Sequence, residues 1–341
     1  MASGNASDPN TDITQKVIRL SVLVLADAWD PHADRVIEFL RDLKIKAYRL
    51  DLDVDSLRAV TFSNRTEETI VNLPNGAFST SEIRSVWARR LNVSMSLQEE
   101  HFDTSPSFQI WRNEWNRHLY WIFDTLRHAY WLNSIQKGGI ADNKHVQMRI
   151  AIECGLNVPS TISSNDRHDL FSFAIANEPV ALKFISQKTI EDKGKFLGLY
   201  VHRLTASDLL DFGGTNEQPI VLQQYVEKSF EVSHTVVSGE HFSCKIDSQK
   251  SARTSIDWRR YDLGNTPHEI IVAPVHIMDS VSSMMKKLEI DYAAFDFVVD
   301  REGKWWFLEL NSNGQWLWIE ELTGLAISKS IAMFLASHTG A

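Results

Sequence analysis

The residues best placed to do chemistry lie in Phe295–Ile319, which reads FDFVVDREGKWWFLELNSNGQWLWI. Two apolar runs flank Asp300-Arg301-Glu302-Gly303, the signature of a β-hairpin. With Asp300 opposite Trp305, Asp296 falls opposite Glu309. Side chains alternate along a strand, so Glu309 and Asn311 share a face and Asp296 points the same way. Two carboxylates and an amide then converge among Phe, Val, Leu and Trp neighbours, where a carboxylate without a partner is costly. A divalent cation removes that cost, and hard oxygen donors of this kind suit Mg²⁺ held together with nucleotide phosphates. Taken alone, the hairpin leaves a second reading open, an edge hairpin carrying two solvated acids.

Cations elsewhere bear on that choice. Lys183 stands alone in the apolar run Val180-Ala-Leu-Lys-Phe-Ile185, where a buried ammonium calls for an anion such as phosphate; a surface lysine with a buried stem is the alternative. Lys144 opens a helix, a position unfavourable for a cation unless something negative binds nearby. Val221-Leu-Gln-Gln-Tyr-Val226 is an extended polar–aromatic segment able to offer backbone groups to a purine edge, with Glu231 placed to accept from ribose hydroxyls. It reads equally as an ordinary strand. No general base is evident; His234 and Asp257 are the candidates.

The elements that must position these groups follow from periodicity. Residues 1–15 are small and polar and are expected to form a disordered lead-in. Val17–Leu25 reads as a buried parallel strand, Pro31–Leu43 as a helix, and Ala47–Leu52 and Ile83–Ala88 as further strands of an α/β unit. Phe108, Trp111, Trp115, Leu119, Ile122, Phe123 and Leu126 recur at steps of three and four, a core-facing helix. Lys144–Glu153 is helical and stops at Gly155. Strands are expected around Val180–Ile185, Leu199–Arg203, Ile220–Val226, Phe230–Val237 and His241–Ile246. Helices are expected near Ala206–Phe212 and Ser280–Leu288 and from about Leu325.

The 341 residues exceed one ordinary core and suit two or three packed units. A formal charge of -9 argues against general nucleic-acid or anionic-membrane binding. The two cysteines, Cys154 and Cys244, show no metal-like spacing and read as buried thiols of a cytoplasmic protein. No apolar run is long enough to cross a membrane. P-loop and dinucleotide-binding glycine patterns are absent.

A helix-opening lysine, a strand lysine, a Gln-Gln-Tyr-Val hinge, a downstream acid and a final Asp…Glu-x-Asn resemble the ATP-grasp superfamily in identity and order. Trp87-Ala-Arg-Arg90, Trp131-Leu-Asn133 and Cys154-Gly-Leu-Asn-Val-Pro-Ser-Thr161 are similar to the ATP-grasp peptide maturases of microviridin-type (graspetide) pathways. So are Ile246-Asp-Ser-Gln249, Asp257-Trp-Arg259 and Glu309-Leu-Asn-Ser-Asn-Gly-Gln-Trp316. The resemblance spans 17–336.

It implies an α/β (α+β) ATP-grasp fold with a pre-ATP-grasp domain over 16–132, a central subdomain over 133–226 and a C-terminal subdomain over 227–341, nucleotide lying between the last two. It also implies a cytoplasmic, homodimeric enzyme that uses ATP to phosphorylate an Asp or Glu side chain of a ribosomal precursor peptide (leader plus core). A Ser, Thr or Lys side chain of that peptide then displaces phosphate, closing an ester or amide ring. Asp296, Glu309 and Asn311 would hold two Mg²⁺ ions, with Mn²⁺ as a substitute. Lys144 and Lys183 would touch phosphate, Gln224, Tyr225 and Val226 adenine, and Glu231 ribose. Arg259 would face the acyl phosphate or acceptor carboxylate.

One departure stands out. The family pattern Glu-Leu-Arg-Val appears here as Glu231-Val-Ser-His234, with Ser233 where an arginine is expected. Arg259, Arg260 or Lys245 would have to supply the missing charge, or the chemistry has changed. The other readings are a ligase that adds an amino acid to a protein or peptide, and an ATP-grasp protein that binds without catalysis.

Overall fold

The computed structural model describes residues 21–65, 68–95, 105–183, 190–192, 195–197, 201–211, 217–251, 256 and 265–340. The lead-in, the expected strand start at 17–20, Asp257, Arg259 and Arg260 lie outside them.

The first unit is an open parallel sheet. β1 (Ser21–Ala26) is buried at every position, as a continuous apolar run must be when both sheet faces are covered. Asp30 caps α1 (Pro31–Asp42) by accepting from the His32 and Ala33 amides. β2 (Lys46–Asp51) and the short α2 (Val54–Arg58) follow. A meander of β3 (Thr61–Arg65), β4 (Glu68–Leu73) and β5 (Gly76–Ser79) then intervenes before β6 (Ile83–Ala88). Its strands were not expected, because β3 is mostly Thr, Ser and Asn. α3 (Pro106–Thr125) buries Phe108, Leu119, Ile122 and Phe123 in the core shared with this meander. β7 (Tyr130–Leu132) completes the order β2-β1-β6-β7.

α4 (Ile135–Ala141) and α5 (Lys144–Glu153) lead into a small second unit. It contains β8 (Thr161–Ser164), α6 (Arg167–Asn177), β9 (Val180–Lys183), the hairpin β10 (Ile190–Asp192) and β11 (Lys195–Leu197), β12 (His202–Leu204) and β13 (Ile220–Gln224). The sheet order is β12-β9-β13-β8. Where a helix was expected at 206–212, a 3₁₀ turn runs over Ser207–Asp211.

The third unit is a five-stranded antiparallel sheet, order β16-β15-β14-β17-β18, made of β14 (Lys228–Val237), β15 (Glu240–Ile246), β16 (His268–Ile271), β17 (Tyr292–Asp300) and β18 (Trp305–Asn311). α5 and α7 (Val275–Leu288) cover one face through Ile150, Ala151, Val281 and Met284 against Phe295, Phe297 and Phe307. The other face meets α8 (Leu317–Thr323), α9 (Ile327–Ser337) and the N-terminal sheet. Among the described residues no helix is long and apolar enough to cross a membrane.

Candidate active site

The β17–β18 hairpin brings Asp296 directly opposite Glu309 and Ala294 opposite Asn311, as the alternation requires. The route differs from the expected one. Val299, not Asp300, pairs with Trp305, and the register shifts between Asp296 and Phe297. Leu308 is the extra residue of this bulge, and it restores the carboxylate pair. Directly opposed residues have Cβ atoms about 4.5–5.5 Å apart, so the two acids lie side by side.

Asn311 Nδ2 donates to Glu309 Oε1 at 3.4 Å. The Lys144 ammonium closes the cluster. Its Nζ lies 3.0 Å from Glu309 Oε2, and it donates to Asn311 Oδ1 and to the Leu310 carbonyl, both at 3.3 Å. A cation at the start of α5 is thus explained by the acid strand it touches.

Sequence reasoning missed the residue that holds this strand. β18 is a sheet edge, so the outward backbone groups of Leu310 lack a strand partner. Gln147 supplies one. Its Nε2 donates to the Leu310 carbonyl at 2.6 Å and to the Ala141 carbonyl at 2.7 Å, while its Oε1 accepts the Leu310 amide at 2.9 Å. The signal was available, since Gln147 follows Lys144 by three residues on one helix face. Gly314 closes the loop beyond; a Cβ there would lie 2.5 Å from the Ala294 Cβ.

Lys144, Lys183 and Glu309 line one pocket, together with His145, Met148, Thr161, Val221, Gln223 and Leu308. It takes in about 420 Å³ of space, part of it open to solvent, between the small sheet and the acid strand. Lys183 ends β9 opposite Val221 and is half-buried. The hinge residues follow at the end of β13. Gln223 lines the pocket and donates to Thr161 Oγ1 at 2.9 Å. The Gln224 amide donates to the Ser160 carbonyl, and the Tyr225 amide to that of Pro179. Gln224, Tyr225 and Val226 are half-buried.

Pairing puts Glu231, Ser233, Asp296 and Glu309 on one sheet face. Glu231 is 5% exposed and is paired with Lys228 at 2.7 Å, so it sits on the acid face as half of a buried ion pair. Ser233, also buried, stands between Asp296 and Cys244. Lys245 pairs with Val232 and so belongs to the opposite face, which removes it as a replacement for the absent arginine. His234 also faces away. It packs against Phe295 and Phe297, its Nδ1 bonds Ser243 at 2.7 Å and its Nε2 bonds His241 at 2.9 Å. Burial pushes its pKa down to about 3, so the ring is a weak proton acceptor, and it lies on the face away from the acids.

The donor set fits Mg²⁺. Two carboxylates and an amide oxygen share one face, all are hard ligands, and the anionic pair already attracts an ammonium. Among the described residues no group of three or more His, Cys, Asp or Glu gathers to hold a metal, and this set relies on two carboxylates and an amide.

Against known proteins, residues 21–138 match the family model described as the MvdD pre-ATP grasp domain. No curated protein matches the sequence. Solved structures match along nearly its whole length, and the chain has the ATP-grasp fold. An RiPP-associated ATP-grasp ligase of Chryseobacterium gregarium, solved with ADP and a leader and core peptide, is 23% identical over 93% of this chain and 97% of that one, with a TM-score of 0.84. Macrocyclase MdnC of Microcystis aeruginosa MRC, bound with precursor peptide MdnA, is 24% identical over 93% and 100%, with a TM-score of 0.81. Macrocyclase MdnB of the same organism is 26% identical over 93% and 99%, with a TM-score of 0.75. The similarity to ATP-grasp maturases of ribosomal peptides, implied by the motifs, thus extends to the fold.

Proposed function

We propose that this chain is an ATP-dependent, peptide-modifying ligase. In the finer form of the reading, it phosphorylates an Asp or Glu side chain of a ribosomal precursor peptide and joins it to a Ser or Thr hydroxyl or a Lys amine. What supports this is one observation, the convergence of Lys144, Lys183 and Glu309 on a single pocket beside Asp296 and Asn311. The peptide-bound state of the similar ligases favours a peptide substrate.

A free carboxylate is a poor electrophile, and converting it to an acyl phosphate provides the leaving group. Phosphoryl transfer depends on positioning and charge neutralisation more than on covalent help. Lys144 and Lys183 would bind the phosphates from the two walls of the pocket. Asp296, Glu309 and Asn311 would hold Mg²⁺, which when bound neutralises phosphate charge. Gln147 fixes the strand that carries Glu309 and Asn311, and the hinge 224–226 would border the base. We place the working division at 133–226 and 227–341, with nucleotide between them.

The test is mass-spectrometric loss of water from the peptide of a short reading frame beside this gene, incubated with ATP and Mg²⁺. Glu309→Ala removes an anionic oxygen donor and should lower turnover at least 100-fold, on the order of one lost transition-state contact, while the fold persists. Full activity of that variant, or full activity in excess EDTA, overturns the assignment. Because Ser233 replaces an arginine on the acid face, binding without ligation is the second reading. ATP and peptide binding without ADP release would support it.

A further inference from the structure

A second cleft lies on the other side of the acid strand, and nothing above gives it a role. It opens about 910 Å³ of solvent-connected space at the carboxyl ends of β6 and β7. The far wall is formed by Asp142, Ser312 and Asn313. The nucleotide-side pocket is lined by Lys144 and Glu309, so the segments 142–144 and 309–313 run from the lining of one cavity to that of the other. A group entering the cleft therefore reaches the end of the strand that carries the acids.

The titratable side chains on this cleft are few. Arg89 is held by Asp30 and Asn313, and Arg90 pairs with Asp27. The Tyr292 hydroxyl donates to the Gly314 carbonyl at 2.9 Å. Asp142 is the only carboxylate among the described lining residues. It is exposed, and its Oδ1 accepts the Ser312 amide at 2.8 Å, one residue beyond Asn311. That bond fixes the carboxylate and leaves Oδ2 to face another partner.

We propose that this cleft seats the attacking hydroxyl or amine of the substrate peptide and that Asp142 is its general base. The proposal rests on the ligase reading and supplies a base for it from the described residues, where His234 faces away from the acids. As the nucleophile's lone pair forms the new C–O or C–N bond, Asp142 Oδ2 takes its proton. The bond from the acyl carbon to the phosphate oxygen breaks, and its electron pair leaves with inorganic phosphate. The proton then passes to solvent.

Hydroxylamine separates the two halves of the reaction, because it attacks an acyl phosphate without help from a base and leaves a hydroxamate. Full-length wild type and Asp142→Asn are compared with the same precursor peptide, ATP and Mg²⁺, with and without hydroxylamine. The asparagine keeps an oxygen for the Ser312 amide but cannot take the proton. Ring formation should fall about 100-fold or more, the usual worth of a positioned base. Hydroxamate should stay within a few-fold of wild type, and formate should restore part of the ring formation in Asp142→Ala. Near-wild-type ring formation by Asp142→Asn overturns the proposal, as does a parallel loss of ring and hydroxamate, which marks a structural role. Wild type that forms neither product defeats the ligase reading itself.

Discussion

Two units flank the C-terminal sheet, and they are attached to it in opposite ways. The N-terminal sheet shares a core with it: Val22, Val24 and Trp87 pack with Val237, Tyr292 and Trp316. Arg89 crosses this junction nearly out of solvent, its Nε on Asp30 at 2.9 Å and its Nη1 on the carbonyl and side-chain oxygens of Asn313, under the Trp316 ring. Asn133 adds four bonds, donating to the Tyr292 and Ser312 carbonyls and accepting from the Asp291 and Tyr292 amides. The small sheet has a core of its own, built on Leu170, Ala174, Val180, Leu182 and Leu222. An exposed Arg203–Glu227 pair spans its border with β14. A unit with a core of its own reorients at lower free-energy cost than one that shares a core. The acids thus sit on the rigid side of the pocket and Lys183 on the adjustable side.

The largest effect should come from cutting the rigid junction. Arg89→Met leaves Asp30 buried without its cation. Burial by itself would raise the Asp30 pKa, but hydrogen bonds from His32 and Arg89 hold it well below the usual carboxylate range. Losing one partner of such a pair should cost about 3–5 kcal/mol. Denaturant melts should show this, and hydrogen exchange should speed up in the N-terminal and C-terminal sheets together. Equal acceleration in the small sheet would show that the three units are one body and that the contrast is false.

Gln147→Leu should come next. It strands the Leu310 amide at a buried edge, worth about 1–3 kcal/mol. It also frees the strand bearing Glu309 and Asn311, so the Mg²⁺ concentration for half-maximal turnover should rise more than the ATP requirement. An unchanged Mg²⁺ requirement in Gln147→Leu would reduce the residue to a structural brace.

A smaller effect is pH-dependent and should be confined to the rigid body. His234 has a folded pKa of about 3 against 6.5 when free. Between those values the unfolded chain takes a proton that the folded chain refuses, so stability falls as pH drops below 6.5. At pH 5.5 this is at most about 1.4 kcal/mol. His241 and His268, also lowered by burial, add to the same slope. Asp30 acts only at lower pH, since its depressed pKa keeps its contribution intact down to the ordinary carboxylate range. His234→Gln should flatten the change in melting temperature between pH 7.5 and 5.5. An unchanged slope would place the proton elsewhere.

How far the sequence reaches follows the same division. The acid pair was legible because strand alternation and a turn signature fix which residues oppose, and the bulge at Leu308 changed the route without changing the pair. Lys183 was legible as a charge in an apolar strand, and Lys144 as a cation opening a helix. The brace by Gln147 was not, because a side chain standing in for a missing strand leaves no periodic trace. Nor was the Asn133 junction, which joins residues more than 150 positions apart, Asp291 and Tyr292 among them. The meander over 61–79 escaped because its polar β3 packs through Phe62, against Trp115 and His118. His234 looked like a candidate base from its neighbours in sequence, yet one step along a strand reverses the face.

Lys183 gives the sharpest test with the smallest cost. It ends β9 on the adjustable side, half-buried, opposite Val221 across the ladder. It lines the pocket, and a lysine can pack its stem while its ammonium meets a ligand, so removing only the charge separates the two roles. Lys183→Met retains the stem, and stability should change by less than about 1 kcal/mol, as for an exposed charge. ATP affinity should nevertheless drop about tenfold, since a charge-assisted phosphate bond in a partly dry pocket is worth about 1.5–3 kcal/mol. The sheet contrast adds a second readout. If phosphate binding through Lys183 draws the small sheet toward the acids, ATP should slow hydrogen exchange along β9 and β13 in wild type and not in the variant. The N-terminal sheet, already fixed by its shared core, should be indifferent to ATP in both. Unchanged ATP affinity with a large loss of melting temperature would make Lys183 a packing residue and remove the phosphate contact from the adjustable wall.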